Sequence, residues 1–261
     1  MLRKIGVILR GHRRTWDYTK KTILEFFDDK AEVVDYYVSW WRTGSASDES
    51  IKQDFTGRRL RACILTDEIR QYCDPYYAPS FLSNLLIRDI SHEELLSGEK
   101  YELIIETRPD VVHHYNNAFK TRWFCPDNAI GFTYLHTDDQ RQIHGLTDHC
   151  YIGKSHSLFL FNTKVHIDVD LKIDPPLVMG HHTLYKRCMD YYKMESFQIP
   201  WFNSFIVRPP IYNLPTDDFV NFYRSGDIWN TLSKDERVKI LEKADIPLGD
   251  YDLHLDTYLV K

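Results

Sequence analysis

Glycine is scarce, 11 of 261 residues, and none of it forms a GxGxxG or a GxxxxGK[ST] string. The two commonest backbone cradles for a dinucleotide or a triphosphate are therefore missing, which argues against a nicotinamide dehydrogenase and a P-loop kinase. Cysteine is scarce too. Cys63, Cys73, Cys125, Cys150 and Cys188 are odd in number, widely spaced and without a CxxC pair, so zinc or redox chemistry gains no support and reduced thiols are expected. No run approaches the roughly 18 consecutive apolar residues of a membrane span, and Met1-Leu2-Arg3-Lys4 leads straight into a strand-like run rather than an apolar leader. The expectation is a cytoplasmic protein without a transmembrane segment. There is also no block of Lys and Arg: 33 basic residues face 38 acidic ones, a net charge of −5 with histidine neutral. Neutralising a polymer backbone takes a concentrated basic face, so a nucleic-acid polymer is not an expected partner.

What the chain has is aromatic side chains, 17 Tyr, 14 Phe and 6 Trp, within a 43% hydrophobic and 27% charged composition ordinary for a soluble globular protein. Such rings fill cores or stack on sugars and bases. The apolar run Ile5-Gly-Val-Ile-Leu9 ends in Arg10-Gly11-His12-Arg13-Arg14, as a buried strand entering a loop does. Thr15 caps a helix with Trp16, Thr19, Ile23 and Phe26/Phe27 on one face, and residues 33–40 follow as a strand. Strand, helix, strand predicts a mostly parallel α/β sheet flanked by helices. Residues 42–58 read as a loop and 60–66 as a third strand. A helix begins at Ser80, a second short one is opened by the capping box Ser91-His-Glu-Glu94 and stopped at Gly98, and Tyr101–Thr107 is a strand ended by Arg108-Pro109-Asp110. Further strands are expected at 129–135 and 148–153, and helices at 155–161, 180–192, after Thr216 and after Ser233. With no repeat or linker, the chain reads as a single domain, a core to about residue 165 followed by a helical C-terminal extension.

Several residues carry possible chemistry. The loop after the first strand is where open α/β sheets place ligands; Gly11 lets backbone approach a ligand, and Arg13 and Arg14 either pair with phosphates or line a solvated helix entrance. Arg108-Pro109-Asp110, at the exit of a buried strand, is either a diphosphate-metal site or an Arg–Asp pair closing a turn. The centre of the chain holds His113, His114, His136, His144, His149, His156 and His166 among Asp138, Asp139 and Asp148. No HExxH or HxHxD string organises them, and Asp138, Asp139 and Asp148 stand as candidate general bases. Trp40 and Trp41 adjoin at the end of the second strand. Strand alternation buries only one of them and leaves its neighbour for a ligand, and Trp40 is taken into the candidate set.

Taken in order, Gly11-x-Arg13, the run Val34-Asp35-Tyr-Tyr-Val-Ser-Trp40, the string Lys100-Tyr-Glu-Leu-Ile-Ile-Glu-Thr-Arg108-Pro-Asp110 and Asp148-x-x-Tyr-Ile-Gly153-x-Ser155 resemble GT-A-type glycosyltransferases, the small ones of bacterial surface-polysaccharide loci, phages and large DNA viruses. The resemblance covers about residues 3 to 165. It implies a Rossmann-like, GT-A-like fold, with Gly11, Arg13, Arg14, Trp40 and Arg108 on the nucleotide, Asp110 on a divalent cation (Mn²⁺ or Mg²⁺), and Asp148 or Asp139 facing the sugar or acceptor. Where the family carries Asp-x-Asp, this chain has Arg108-Pro109-Asp110, one carboxylate in place of two; Asp138-Asp139 is a second place for a cation. The implied activity is transfer of a sugar from a nucleoside-diphosphate donor to a glycan or other hydroxyl acceptor. A metal-dependent hydrolase built on the Asp/His cluster and a non-catalytic carbohydrate-binding protein are the alternatives.

Overall fold

A computed structural model describes residues 1–13, 16–41, 48–66, 78–115, 123–137, 143–147, 149–170 and 181–206. The first strand, β1 (Leu2–His12), is buried on both faces because its apolar run has no polar alternation. Ile5, Val7 and Leu9 point to one side, where α1 (Trp16–Asp28) brings Trp16, Ile23 and Phe27 and the turn after α2 (Asp48–Asp54) brings Phe55. Ile8 points to the other, where α3 (Ala78–Ser97), α4 (Ser155–Asp170) and α5 (His181–Tyr191) bring Leu86, Ile90, Leu158, Phe161 and Tyr185. The architecture is helices on both faces of one mixed, mostly parallel sheet.

The remaining strands are β2 (Ala31–Trp41), β3 (Arg59–Thr66), β4 (Leu103–Thr107), β5 (Val111–Tyr115), β6 (Ala129–Phe132), β7 (Leu135–Thr137), β8 (Ile143–Leu146), β9 (Cys150–Gly153), β10 (Glu195–Gln198) and β11 (Phe202–Ile206). Seven of the eleven form the main sheet, in the order β10-β6-β9-β4-β1-β2-β3. The four strands β3, β2, β1 and β4 are mutually parallel, and β10 is parallel to β6. Among the described strands of this sheet only β9 runs against its neighbours, pairing antiparallel with β4 and β6. From β1 the chain first winds outward through β2 to β3, then returns to place β4 on the other side of β1. The winding reverses between β1 and β4, and a doubly wound sheet opens its ligand crevice at the carboxyl ends of the two strands that flank such a reversal. Two small antiparallel ribbons, β5–β11 and β7–β8, complete the described part.

Several local expectations need correction. Residues 48–54, read as loop, form α2. The two helices expected around Ser80 and Ser91 are one: α3 runs through Ser91, whose Oγ donates back to the Ile87 carbonyl at 2.9 Å, the usual way an internal serine is accommodated in a helix. Glu94, the acid of the expected capping box, instead accepts the Tyr101 backbone N–H at 2.8 Å and a hydrogen bond from Ser155 Oγ, fastening α3 to β4 and α4. Gly98 does end the helix, with φ 70° and its N–H on the Glu94 carbonyl. The strand expected over 129–135 is divided into β6 and β7. Strands β5, β8, β10 and β11 had no expectation, being short and of mixed polarity. The C-terminal helices expected after Thr216 and Ser233 lie outside the described residues.

Candidate functional site

At the carboxyl end of β1, Arg10 is 1% exposed, and one residue short of the end of β4 Glu106 is fully buried. Their registers make them near neighbours: Ile8 pairs with Glu106, and Arg10 lies two residues further along β1. Arg10 Nε donates to Glu106 Oε1, which also accepts from Ser83 Oγ and Tyr151 OH. Glu106 Oε2 accepts from Asn162 Nδ2 at 3.0 Å, and Tyr151 OH also lies 3.2 Å from Asn162 Oδ1. The guanidinium stands 5.4 Å from the centre of the Tyr151 ring. Burial, followed by the Glu106 charge, raises the Tyr151 hydroxyl far above the ordinary phenol range, so it stays a donor. A buried ion pair persists only when its remaining lone pairs are satisfied, and here β1, β4, β9, α3 and α4 each supply a member.

A second polar chain lies beside it. Thr107 Oγ1, at the last residue of β4, is 3.2 Å from His113 Nε2 and also donates to the His149 carbonyl, while His113 Nδ1 is 2.8 Å from Ser204 Oγ on β11. Burial, with smaller contributions from His114 and His149, pushes the His113 pKa down to about 3, so the imidazole is neutral. The chain thereby ties the carboxyl end of β4 to the β5–β11 ribbon. The Cys150 thiol, in contact with Thr107 and Ser204, is driven up by burial and is no nucleophile.

Above these groups sits Gly11. Its φ of 115° is one that side-chain-bearing residues rarely adopt, and among the described residues nothing lies within 4 Å of a Cβ built there. Gly11 pairs with Trp40 across the sheet and Arg10 with Ser39. Three donors of this edge are buried without a hydrogen-bond partner: Ser39 Oγ, Trp40 Nε1 and Arg13 Nε. Leaving a buried polar group unpaired costs about 1–3 kcal/mol, so such a concentration of donors suits a ligand rich in acceptor oxygens.

The expected site residues fare unevenly. Arg13 is bonded within the protein, to Ser50 Oγ at 3.2 Å, Asp17 Oδ1 at 3.2 Å and Asp54 Oδ2 at 3.4 Å, and Asp54 also takes Trp16 Nε1 at 2.8 Å and Lys20 Nζ at 2.7 Å. It braces β1 against α1 and α2, with only Nε left over. The expectation that one of Trp40 and Trp41 faces solvent is corrected: both are buried, at 0% and 4% exposure, because helices cover both faces of β2, and Trp40 packs 5.2 Å from Trp16. Trp40 therefore offers its indole N–H rather than its ring face.

Arg108 and Asp110 form a two-pronged ion pair, Nε to Oδ1 at 2.9 Å and Nη2 to Oδ2 at 2.8 Å, with Asp110 5% exposed. The turn is further pinned by Val111 N to the Arg108 carbonyl at 3.2 Å and by Thr19 Oγ1 donating to the Pro109 carbonyl. Of the two readings of this string, the structure displays the turn-closing pair. Both carboxylate oxygens are engaged by one guanidinium, and no group of three His, Cys, Asp or Glu able to hold a metal occurs among the described residues, so a divalent cation does not fit at Asp110 as it stands. Arg14, Asp138, Asp139 and Asp148 lie outside the described residues. His149, next to Asp148 in the chain, is the residue whose carbonyl Thr107 engages.

No family model matches this chain, and no match is found among the curated proteins. The site therefore rests on its own geometry. Sequence reasoning missed Arg10, Ser83, Glu106 and Asn162, and took Tyr151 for a ring that stacks on a ligand where it is a buried partner of Glu106. The signal was present in two of them: Ile5–Leu9 and Leu103–Ile105 are apolar runs each followed by one charge, and opposite charges closing two adjacent buried strands must be paired.

Proposed function

We propose that this chain is a glycosyltransferase that moves a sugar from a nucleoside-diphosphate donor to a hydroxyl of a glycan or other acceptor, on a GT-A-like fold. The observation that carries the reading is the backbone of Gly11 at the reversal point of the sheet, with no described residue within 4 Å of a built Cβ and with unpartnered buried polar groups of Ser39, Trp40 and Arg13 on the neighbouring positions of the same sheet edge. A nucleoside diphosphate presents many acceptor oxygens, and the carboxyl-end crevice beside the start of α1 is where such groups meet backbone N–H donors.

In this reading the sugar leaves with positive charge growing at its anomeric carbon and negative charge on the departing diphosphate. Gly11 admits the diphosphate close to the backbone, and Arg13, braced by Asp17 and Asp54, places a guanidinium there without needing to be ordered by the ligand. Arg108 holds the β4 exit rigid through Asp110 and supplies positive charge at the turn where a cation is otherwise expected. No step is routed through a metal, because both oxygens of Asp110 are already paired with the Arg108 guanidinium. Asp148, or Asp139, takes the acceptor proton if the sugar configuration inverts. The buried Arg10–Glu106 pair touches neither partner and fixes the relative position of β1 and β4.

A thermal-shift screen against UDP, GDP, CDP and dTDP and their common sugars, each with and without Mn²⁺, tests this. A ligand at a hundredfold excess over Kd stabilises the fold by about 2.7 kcal/mol. A selective shift with one nucleotide, present without Mn²⁺, is the expected result. A shift with Mn²⁺ or Zn²⁺ alone and with no nucleotide would move the assignment to a metal-dependent hydrolase.

A further inference from the structure

Among the described residues the main sheet has two outer strands, β3 and β10. An outer strand offers unpaired backbone groups to any other chain, so folds guard it with basic side chains, proline or a bulge. β3 is guarded: it carries Arg59 and Arg61, and its pairing with β2 shifts register between Leu60 and Ala62. β10 has no Lys, Arg or Pro, its one charge is Glu195 at the first position, and its pairing with β6 is regular. It lies four strands from β1 in the order β10-β6-β9-β4-β1, away from the Gly11 crevice.

The Glu195 N–H donates to the Asn128 carbonyl at 3.1 Å and the Ile199 N–H to the Phe132 carbonyl at 2.8 Å. In a parallel pair, alternate residues turn both backbone groups toward the neighbour. Glu195, Phe197 and Ile199 therefore serve β6, while Ser196 and Gln198 turn their N–H and C=O outward. Among the described residues no strand or loop partner meets these outward groups, and Gln198 is exposed. A cavity of about 300 Å³ is lined by Phe124, Pro126 and each of the residues Glu195, Ser196, Phe197 and Gln198. Successive strand residues point to opposite faces, so a cavity that touches all of β10 lies on the edge itself and not on either face. Phe124 is 63% exposed beside it. Phe197 is folded over the sheet, its ring lying where a Cβ at Gly131 would stand, and so leaves the edge clear.

We infer that β10 pairs with β10 of a second copy of this chain, antiparallel about a two-fold axis, so that two sheets become one. The backbone selects the register. With Ser196 opposite Gln198 of the second copy, the two residues exchange both N–H···O bonds, and the axis repeats the exchange, so every outward N–H and C=O of β10 is used. The ladder ends there of itself: Pro200 has no N–H, and the Met194 N–H is given to the Met189 carbonyl at 2.8 Å. In this register Phe197 stands opposite Phe197 of the second copy, an aromatic cross-strand pair. Glu195 stands opposite Ile199 of the second copy, so neither carboxylate faces its own counterpart. Register and charge are thus self-complementary, which is the condition of an isologous contact. The added strand fills the edge cavity. A four-residue edge with its flanking rings makes a small interface, and a dimer of about micromolar affinity follows.

Sedimentation velocity of the whole chain, from micromolar to several hundred micromolar, tests the assignment. The variants are Gln198→Pro, Phe124→Glu and, as a control at an exposed apolar position elsewhere, Leu96→Lys, with melting curves to show that each is folded. Proline is tolerated where an edge-strand N–H faces solvent, so Gln198→Pro removes an outward donor and no bond to β6. Phe124→Glu, at an exposed position, carries the test if the proline variant does not fold. The expected result is a monomer–dimer equilibrium whose Kd is weakened at least about tenfold in Gln198→Pro and in Phe124→Glu and is unchanged in Leu96→Lys. Hydrogen exchange at the Ser196 amide is expected to slow as the wild-type concentration rises. A chain that stays monomeric over the whole range overturns the proposal, even if the edge captures a different protein. So does a dimer of unchanged affinity in Gln198→Pro and Phe124→Glu whose Ser196 amide exchanges at the monomer's rate.

Discussion

Two buried carboxylates sit on the same face of the sheet and are treated differently. Asp35, in the lower half of β2, is fully buried, but its partners reach it from the rim: Arg59 Nε at 2.6 Å from a side chain 55% exposed, Tyr101 OH at 2.7 Å and Lys4 Nζ at 3.8 Å. Glu106, at the upper end of β4, is paired with an arginine that is itself 1% exposed, and its remaining donors are equally enclosed. Water solvates the cation that Asp35 leaves behind when removed, whereas Arg10, 1% exposed, is out of its reach. The amino edge is thus a conventional ion-pair network that closes the ends of strands. The carboxyl edge maintains a dry pair directly beneath the loops that leave β1 and β4, where rigid positioning rather than net stabilisation is the gain.

The largest effect expected from that difference is at Glu106. Glu106→Leu strands a buried guanidinium and should cost about 3–5 kcal/mol in urea denaturation, while the double variant Arg10→Met, Glu106→Leu should recover most of it. A single variant that costs less than Asp35→Asn would break the comparison. Asp35→Asn keeps the Tyr101 hydrogen bond and leaves a half-exposed arginine, and should cost about 1–2 kcal/mol.

Acid sharpens the contrast further. His113 is neutral in the fold with a pKa near 3 and binds a proton in the unfolded chain below about 6.5. Its contribution is fully present above that pH and is lost progressively as pH falls toward 3, because the unfolded state then holds the extra proton. Denaturation midpoints of wild type should fall over this window, and those of His113→Gln should fall less steeply. The smallest effect is expected on the surface, where removing Lys186, paired with Asp190 one helical turn away, should change stability by no more than about 0.5 kcal/mol.

The sheet was legible because parallel strands, buried on both faces, announce themselves as apolar runs. β1, β2, β3, β4 and β9 all lie within a few residues of where such runs stand. The direction of β9 was not legible, since four residues of Cys-Tyr-Ile-Gly pair equally well either way and only the neighbouring elements decide. Nor was the continuity of α3, because Ser91-His-Glu-Glu94 satisfies a capping box locally and only the tertiary partners Tyr101 and Ser155 show Glu94 to be otherwise engaged. In the site, Gly11 was singled out as part of a loop after the first strand, whereas β1 runs on through His12 and Gly11 is a strand residue paired with Trp40. Trp40 was misjudged by applying the alternation of a one-sided sheet to a strand covered on both faces.

The central claim is that the space over Gly11 is where a ligand of this edge binds, and a paired substitution tests it most directly. Gly11 and Gly57 both have positive φ, 115° and 80°, and neither has a described residue within 4 Å of a built Cβ, so Gly11→Leu and Gly57→Leu both strain the backbone, by about 1–3 kcal/mol, without a clash among the described residues. Calorimetric titration of the nucleoside diphosphate selected by the thermal-shift screen into both variants should show affinity lost at least about tenfold in Gly11→Leu and retained in Gly57→Leu. Equal affinity in the two variants, or no nucleotide bound by the wild type, would contradict the account.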